Sequence, residues 1–249
     1  MLLDALRSEG IVTCRADDLL DERGIQCLNE VRREVERLLQ DDQAQGTLTR
    51  NHGKDYLTSL LGKQFDLDSP FLALALHPLF LRTANGYLGL RSVLRAVNVW
   101  MNRPTPSPAK ESQLWHRDGD DRMILKVFIY LGDVDLDNGP FWFIPRSHLK
   151  RVGTVTRPLE AARVDDQDMR SWIADNQWKV CTGPTGTIIF ADTTGFHKGG
   201  KCDKRSRILL TFEYVSGASP YPREFQLRSD AGMEDLNPLQ RYALLPKGK

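Results

Sequence analysis

The chain has 249 residues, with 34 Lys and Arg against 33 Asp and Glu, for a net charge of +1. That balance carries no electrostatic footprint for nucleic acid or an anionic membrane surface, so a small-molecule partner is expected. Four scattered cysteines, Cys14, Cys27, Cys181 and Cys202, form no CxxC pair, which argues against a zinc cage or disulfide framework and for a reduced, cytoplasmic protein.

From Asp17 to Gln40, the residues Leu19, Leu20, Ile25, Leu28, Val31, Val35, Leu38 and Leu39 recur at helical spacing. The pattern predicts an amphipathic helix, with Gly24 as a candidate break. Asp41 to Ser69 is polar, carries Gly46, Gly53 and Gly62, and is expected to be irregular, either as a substrate entrance or as a surface connection. Pro70 opens another helical region, and Phe71 to Leu90 suits one or two helices interrupted at Asn85-Gly86. The apolar run Phe71 to Leu81 contains His77 and Pro78 and is too short to span a bilayer, so no membrane partner is expected. Met1 to Arg7 meets Asp4 and Arg7 before an apolar stretch develops, unlike a secretory signal.

After Arg91 the texture changes to short β-rich runs: Val93 to Met101, Gln113 to His116, Met123 to Leu131, Phe141 to Ile144, Thr187 to Ala191 and Arg207 to Val215. Turn residues such as Asn138-Gly139-Pro140 and Gly183-Pro184 punctuate them, which predicts an antiparallel sandwich or barrel. Pro104 to Pro108 reads as a stiff connection between strands. A helical insert is expected over Asp165 to Asn176, with Met169, Trp172 and Ile173 on one face. The chain is read as one domain: 1–90 as helical support and entrance loop, 91–217 as catalytic core, and 218–249 as a C-terminal extension.

His116 and Asp118 lie two apart at the end of a strand-like run, so they project to one side if the backbone stays extended. Two imidazoles and a carboxylate are the ligand set that holds non-haem Fe(II) with open positions for small ligands. The candidates for the third ligand are His52, His77, His148 and His197. His52 sits in the polar loop, His77 in a helical segment and His148 at a turn, whereas His197 follows a core strand and has Arg207 ten residues on. Arginine grips carboxylates bidentately, which suits an anionic co-substrate. A zinc hydrolase could use the same ligands without needing Arg207. A cupin-like binding protein without turnover is a further alternative.

Five stretches appear in order between roughly Val93 and Val215: Trp115-His116-Arg117-Asp118, Asp137-Asn138-Gly139-Pro140, Ile144-Pro145-Arg146-Ser147-His148, Gly186-Thr187-Ile188-Ile189-Phe190 before His197, and Arg207. Together they resemble the phytanoyl-CoA dioxygenase family of Fe(II)/2-oxoglutarate oxygenases. The family's usual glycine is Arg146 here. The resemblance implies a mainly β protein with N-terminal helices, built on a double-stranded β-helix, a cupin-like jelly roll. It implies His116, Asp118 and His197 as iron ligands and Arg207 as partner of the distal 2-oxoglutarate carboxylate. Asn98, Thr187, Thr211 and Phe128 are candidate neighbours of that co-substrate, although packing explains Phe128 equally well. The implied reaction joins 2-oxoglutarate and O2 at iron, releases CO2 and succinate, and usually hydroxylates the substrate. Halogenating relatives have a small residue in place of the carboxylate, so Asp118 implies oxygenation, desaturation or ring closure.

For the substrate, Asp120, Trp142 and Arg146 are candidate contacts to a hydroxyl-rich ligand, because carboxylates accept sugar hydroxyls and indoles cover apolar sugar faces. The chain also resembles, more loosely, orthosomycin-type members that tailor sugars in antibiotic biosynthesis. An acyl-CoA substrate is the alternative, with Lys110, Arg117, Arg122 and Arg146 as candidate phosphate partners.

Overall fold

The computed structural model describes residues 1–45, 55–149 and 163–245. Helix α1 (Leu2–Glu9) ends at Gly10, whose φ of 77° is the left-handed conformation that glycine adopts freely, and the chain turns into strand β1 (Ile11–Arg15). Helices α2 (Ala16–Leu19) and α3 (Glu22–Gln45) follow. The break falls at Leu20-Asp21 rather than Gly24, because the Asp21 carboxylate accepts the Gly24 N–H at 2.9 Å and starts the long helix. Gly24 lies inside α3, where an added Cβ would come within 3.0 Å of Leu20 and 3.1 Å of the His77 ring.

The segment expected to be irregular contributes β2 (Leu57–Ser59) and β3 (Gln64–Phe65). His52, Gly46 and Gly53 lie outside the described residues. Two helices follow, α4 (Pro70–Ala75) and α5 (Pro78–Leu88), each opened by a proline that lacks only an N–H the first turn would leave unpaired. The interruption is at His77, whose Nδ1 accepts the Leu79 N–H, and not at Asn85-Gly86. Asn85 stays helical while its side chain accepts from Ser92 N–H and Oγ.

The second half supplies β4 (Ser92–Asn102), β5 (Leu125–Tyr130), β6 (Phe141–Phe143), α6 (Asp166–Trp172), β7 (Lys179–Cys181), β8 (Thr187–Asp192), β9 (His197–Gly199), β10 (Arg207–Ser216), β11 (Gln226–Leu227) and α7 (Pro238–Ala243). A six-stranded sheet runs β1-β8-β5-β10-β4-β2, and a three-stranded sheet runs β7-β6-β9. Pairs within both sheets are antiparallel, and the chain passes back and forth between them, so the mainly β core is a jelly roll, the double-stranded β-helix, with helices outside. The run from Gln113 to His116 is not a regular strand: a 3-10 turn spans Glu111–Gln113, and single bridges then link Trp115 to Val164 and His116 to His197.

Apolar runs in the large sheet are nearly continuous because both faces are covered. Leu210, Phe212 and Tyr214 of β10 point outward, where they join Val127, Ile129, Ile188 and Phe190 against Leu28, Val31, Leu72, Phe80 and Ala84 of the helices. Leu209, Phe128, Tyr130 and Ile189 point into the barrel and meet Phe141 and Phe143 from the small sheet. Between β10 and β4 the register slips at Glu213/Tyr214, leaving Arg95 as the extra residue of a bulge. A bulge redirects a side chain, and this one sends a buried guanidinium to Glu213 inside the barrel. No helix among the described residues is long and apolar enough to cross a membrane.

Phe212 is fully buried, with its ring centroid 5.7 Å from that of Phe80. Phe212→Ala should lower unfolding free energy by about 3–5 kcal/mol, measured by urea denaturation. A loss below about 1 kcal/mol would mean that the helical layer is not anchored on this face of β10.

Candidate active site

His116 and His197 exchange both backbone hydrogen bonds at 3.0 Å, which sets their rings side by side with centroids 4.2 Å apart. Asp118 reaches the same point because its N–H donates to Thr193 O at 2.9 Å. One donor atom from each of the three side chains lies within 4.8 Å of the others, and the histidine Nε2 to carboxylate distances are 3.8 Å for His116 and 3.5 Å for His197. Each ring is fixed from behind: His116 Nδ1 lies 2.8 Å from Leu114 O, and His197 Nδ1 lies 3.0 Å from Gly195 O. A carbonyl can only accept, so Nδ1 carries the proton and Nε2 offers its lone pair to the shared point. Burial, with His197 beside it, pulls His116 down to about 3, and burial lowers His197 against the pull of Asp118. Burial opposes ionisation of Asp118, but Lys126 and the two histidines outweigh it and hold the carboxyl below its usual range. Two neutral imidazoles and an ionised carboxylate are the states a divalent metal requires.

The outward faces of the same segments are tied together. Trp115, next to His116, donates from its indole to Asp166 Oδ1 at 2.8 Å, and Lys198, next to His197, pairs with the same oxygen. The Lys198 ammonium also lies 5.1 Å from both the Trp115 and Trp142 ring centroids. Asp166 opens α6, so the expected helical insert is clamped to the back of the histidine pair, and Met169 is buried there with Trp172 and Ile173 packed alongside.

Arg207 is 3 % exposed and, by register, shares the inner face of β10 with Leu209, Thr211 and Glu213. Its Nε and Nη1 are buried without a hydrogen-bond partner among the described residues, as is Thr211 Oγ1. Gly199 on β9 leaves room for the guanidinium, since a Cβ there would lie 3.0 Å from Arg207 Nη2. Buried donors left unpaired are costly, so this pocket suits an anionic ligand such as a carboxylate. Asn98 and Phe128 stand opposite Thr211 on the flanking strands and line the same interior. Gln113 is also buried with its amide nitrogen unpartnered among the described residues. It precedes a loop with no regular periodicity, so no pattern in the sequence points to it.

Other sequence candidates are held elsewhere. Thr187 donates its hydroxyl to Pro184 O at 2.7 Å, closing the turn before β8. Asp120 pairs with Arg95 at 3.0 Å, so its carboxylate is engaged within the protein. Trp142 alternates with Phe141 and Phe143 on β6. Phe143 is registered opposite His197, whereas Trp142 is registered opposite Lys198 on the outer face, away from the His-Asp-His cluster. Arg146 is exposed, and its φ of 67° explains why glycine is usual there, since side chains are disfavoured in that region. The adjoining Ser147 is structural, accepting the Phe196 N–H at 2.8 Å. His77 is held in a structural role, with Nε2 3.0 Å from Asp21 Oδ1, and His148 Nε2 lies 3.2 Å from Arg7 O.

Folded His116 resists protonation until about pH 3, whereas an unfolded histidine binds its proton near 6.5. Between those values the unfolded state holds more protons, so metal-free protein should lose stability steadily as pH falls below 6.5. Thermal midpoints taken against pH should decline less steeply in His116→Asn. An unchanged slope would show that His116 does not carry the effect.

The sequence model of the phytanoyl-CoA dioxygenase family matches residues 9–207. No curated protein sequence matches the chain. Among solved structures, the non-haem α-ketoglutarate-dependent epimerase SnoN from nogalamycin biosynthesis is similar at 20% identity, covering 87% of this chain and 82% of that one with a TM-score of 0.61. The carbocyclase SnoK from the same biosynthesis matches at 17% identity over 95% of this chain and 90% of its own, TM-score 0.61. AviO1 from Streptomyces viridochromogenes Tue57 matches at 17% identity over 88% and 96%, TM-score 0.60. These identities establish a shared fold, while the family match runs from Glu9 through Arg207 and encloses the whole triad. The chain therefore belongs to the phytanoyl-CoA dioxygenase family of non-haem Fe(II)/2-oxoglutarate-dependent enzymes.

Proposed function

We propose that this enzyme hydroxylates or oxidatively cyclises a small to medium polar substrate, a sugar-containing secondary metabolite of antibiotic biosynthesis being the favoured class. The observation that carries the catalytic part is the pairing of a buried His-Asp-His cluster with an arginine whose Nε and Nη1 have no partner among the described residues. His116, Asp118 and His197 are the residues that would hold iron. Arg207 would bind the far carboxylate of 2-oxoglutarate, with the Thr211 hydroxyl and Asn98 beside it. Phe128, Leu209 and Ile189 form the apolar wall that keeps water from this interior. The chemistry that iron and 2-oxoglutarate supply when bound is O2 activation coupled to loss of CO2 and formation of succinate.

The antibiotic-tailoring part is supported by the structural similarity to SnoN and SnoK, both from nogalamycin biosynthesis. An acyl-CoA substrate is less well supported, because two of its candidate cations are engaged: Lys110 pairs with Asp55 at 2.8 Å, and Arg117 donates to Ser147 O. The four cysteines are unpaired thiols, which supports a reducing compartment such as the cytoplasm.

Anaerobic titration of the Fe(II)-loaded protein with 2-oxoglutarate should give the weak visible charge-transfer band of the chelate. Arg207→Met should weaken that binding about 10- to 100-fold with metal affinity nearly unchanged, the effect expected of removing a charge-assisted hydrogen bond. Parallel loss of both affinities would assign Arg207 a role in the fold instead. Because the Thr211 hydroxyl has no partner among the described residues, Thr211→Val should leave unfolding free energy within about 0.5 kcal/mol while reducing 2-oxoglutarate affinity. Succinate release stimulated by glycosylated antibiotic precursors and not by fatty acyl-CoA would support the substrate class, and the reverse preference would overturn it.

A further inference from the structure

Lys126 is the one ammonium group that touches the triad among the described residues, and the family reading assigns it no task. It projects from β5 into the barrel, opposite Glu213 of β10 and Ala191 of β8. Its Nζ lies 2.7 Å from Asp118 Oδ2 and 3.2 Å from Glu213 Oε2. Glu213 is held in turn by Arg95 at 2.8 Å, and the bulge in β4 fixes that guanidinium between Glu213, Asp120 and Glu224. The lysine is therefore anchored from behind by a continuous chain of charged groups. Its reach ends on Oδ2 of the Asp118 carboxylate, and both oxygens face the imidazoles: Oδ2 lies 3.5 Å from His197 Nε2 and Oδ1 3.8 Å from His116 Nε2, so without the lysine either could reach a shared metal.

A carboxylate can bind a metal through one oxygen or both. The His-Asp-His set is useful to an oxygenase because it leaves positions open, and chelation by both Asp118 oxygens would close one of them. We propose that Lys126 is a positioning residue that occupies Asp118 Oδ2, restricts this ligand to its other oxygen, and biases the loaded centre toward an anionic co-substrate. Its fixed positive charge disfavours a second cation nearby and favours a dicarboxylate, so it raises co-substrate affinity at some cost in metal affinity. This inference rests on the reading of the cluster as an iron site that takes 2-oxoglutarate.

The test uses Co(II) in place of iron and follows visible absorption, which weakens as coordination number rises, together with affinity for 2-oxoglutarate. The expected result is that Lys126→Met binds Co(II) at least as tightly as the parent, with weaker visible absorption. It should take 2-oxoglutarate about tenfold more weakly or worse, the scale expected when one charge is removed from a partly buried site. Lys126→Arg should restore much of that affinity. Removing the lysine alone leaves Glu213 with Arg95 as its remaining cation, so the double variant Lys126→Met/Glu213→Gln restores the charge balance and should recover part of the 2-oxoglutarate affinity while keeping the weaker visible absorption of Lys126→Met. Parallel loss of Co(II) and 2-oxoglutarate affinity in both variants would reduce Lys126 to a support of the fold and overturn the proposal. Unchanged 2-oxoglutarate affinity in Lys126→Met would overturn it as well. If the parent Co(II) protein itself fails to respond to 2-oxoglutarate, the reading of the site falls first and the proposal with it.

Discussion

The reciprocal backbone pairing of His116 with His197 is the interaction on which the site depends. Side chains directly opposite each other in an antiparallel pair share a face. Two segments distant in sequence are thereby made to present imidazoles to one point, with Asp118 following two residues after His116. The same pairing sends Trp115 and Lys198 to the other face, where Asp166 binds both. One piece of sheet thus has a polar face that carries the His-Asp-His cluster and an aromatic back.

The large sheet solves a related problem differently. Its outer face must be apolar to hold the helices, and its inner face must carry Arg207, Thr211, Lys126 and Glu213 toward the cavity. Strict alternation along β10 supplies both faces from one strand. Where alternation would fail, at Arg95, a bulge admits an extra residue, keeping Leu94 with the outer core while the guanidinium meets three carboxylates. Buried charges of this kind are stable only as satisfied groups. Arg95 keeps both terminal nitrogens on carboxylates and leaves only Nε without a partner among the described residues, whereas Arg207 leaves both Nε and Nη1 unpartnered there.

The features of this design that can be read from sequence are those with short-range signatures. His116-x-Asp118 is visible because a strand has a period of two, and Arg207 is visible because it opens an apolar run shortly after His197. An antiparallel sandwich or barrel is legible from short β-rich runs and their turns, and the family resemblance narrows it to a jelly roll. Features that depend on register between distant strands are not. Asp120 and Trp142 look available in sequence, yet one is claimed by Arg95 and the other lies on the wrong face of β6. Lys126 looks like one polar residue in an apolar strand, and only three-dimensional pairing brings it to Asp118. Short strands such as β1, β7 and β9 have too few residues to establish a period, and neighbouring strands supply their stability. Likewise, Gly24 suggests a helix break, but the close approach of Leu20 and His77 favours a glycine inside the helix.

The shared anchor at Asp166 has a thermodynamic meaning. A single carboxylate oxygen binds both Trp115, the neighbour of His116, and Lys198, the neighbour of His197, so α6 cannot detach without uncovering the backs of both histidines. The insert and the histidine-bearing segments are then expected to open together, as one cooperative unit. Amide hydrogens at Trp115 and Met169, far apart in sequence, are therefore expected to exchange together.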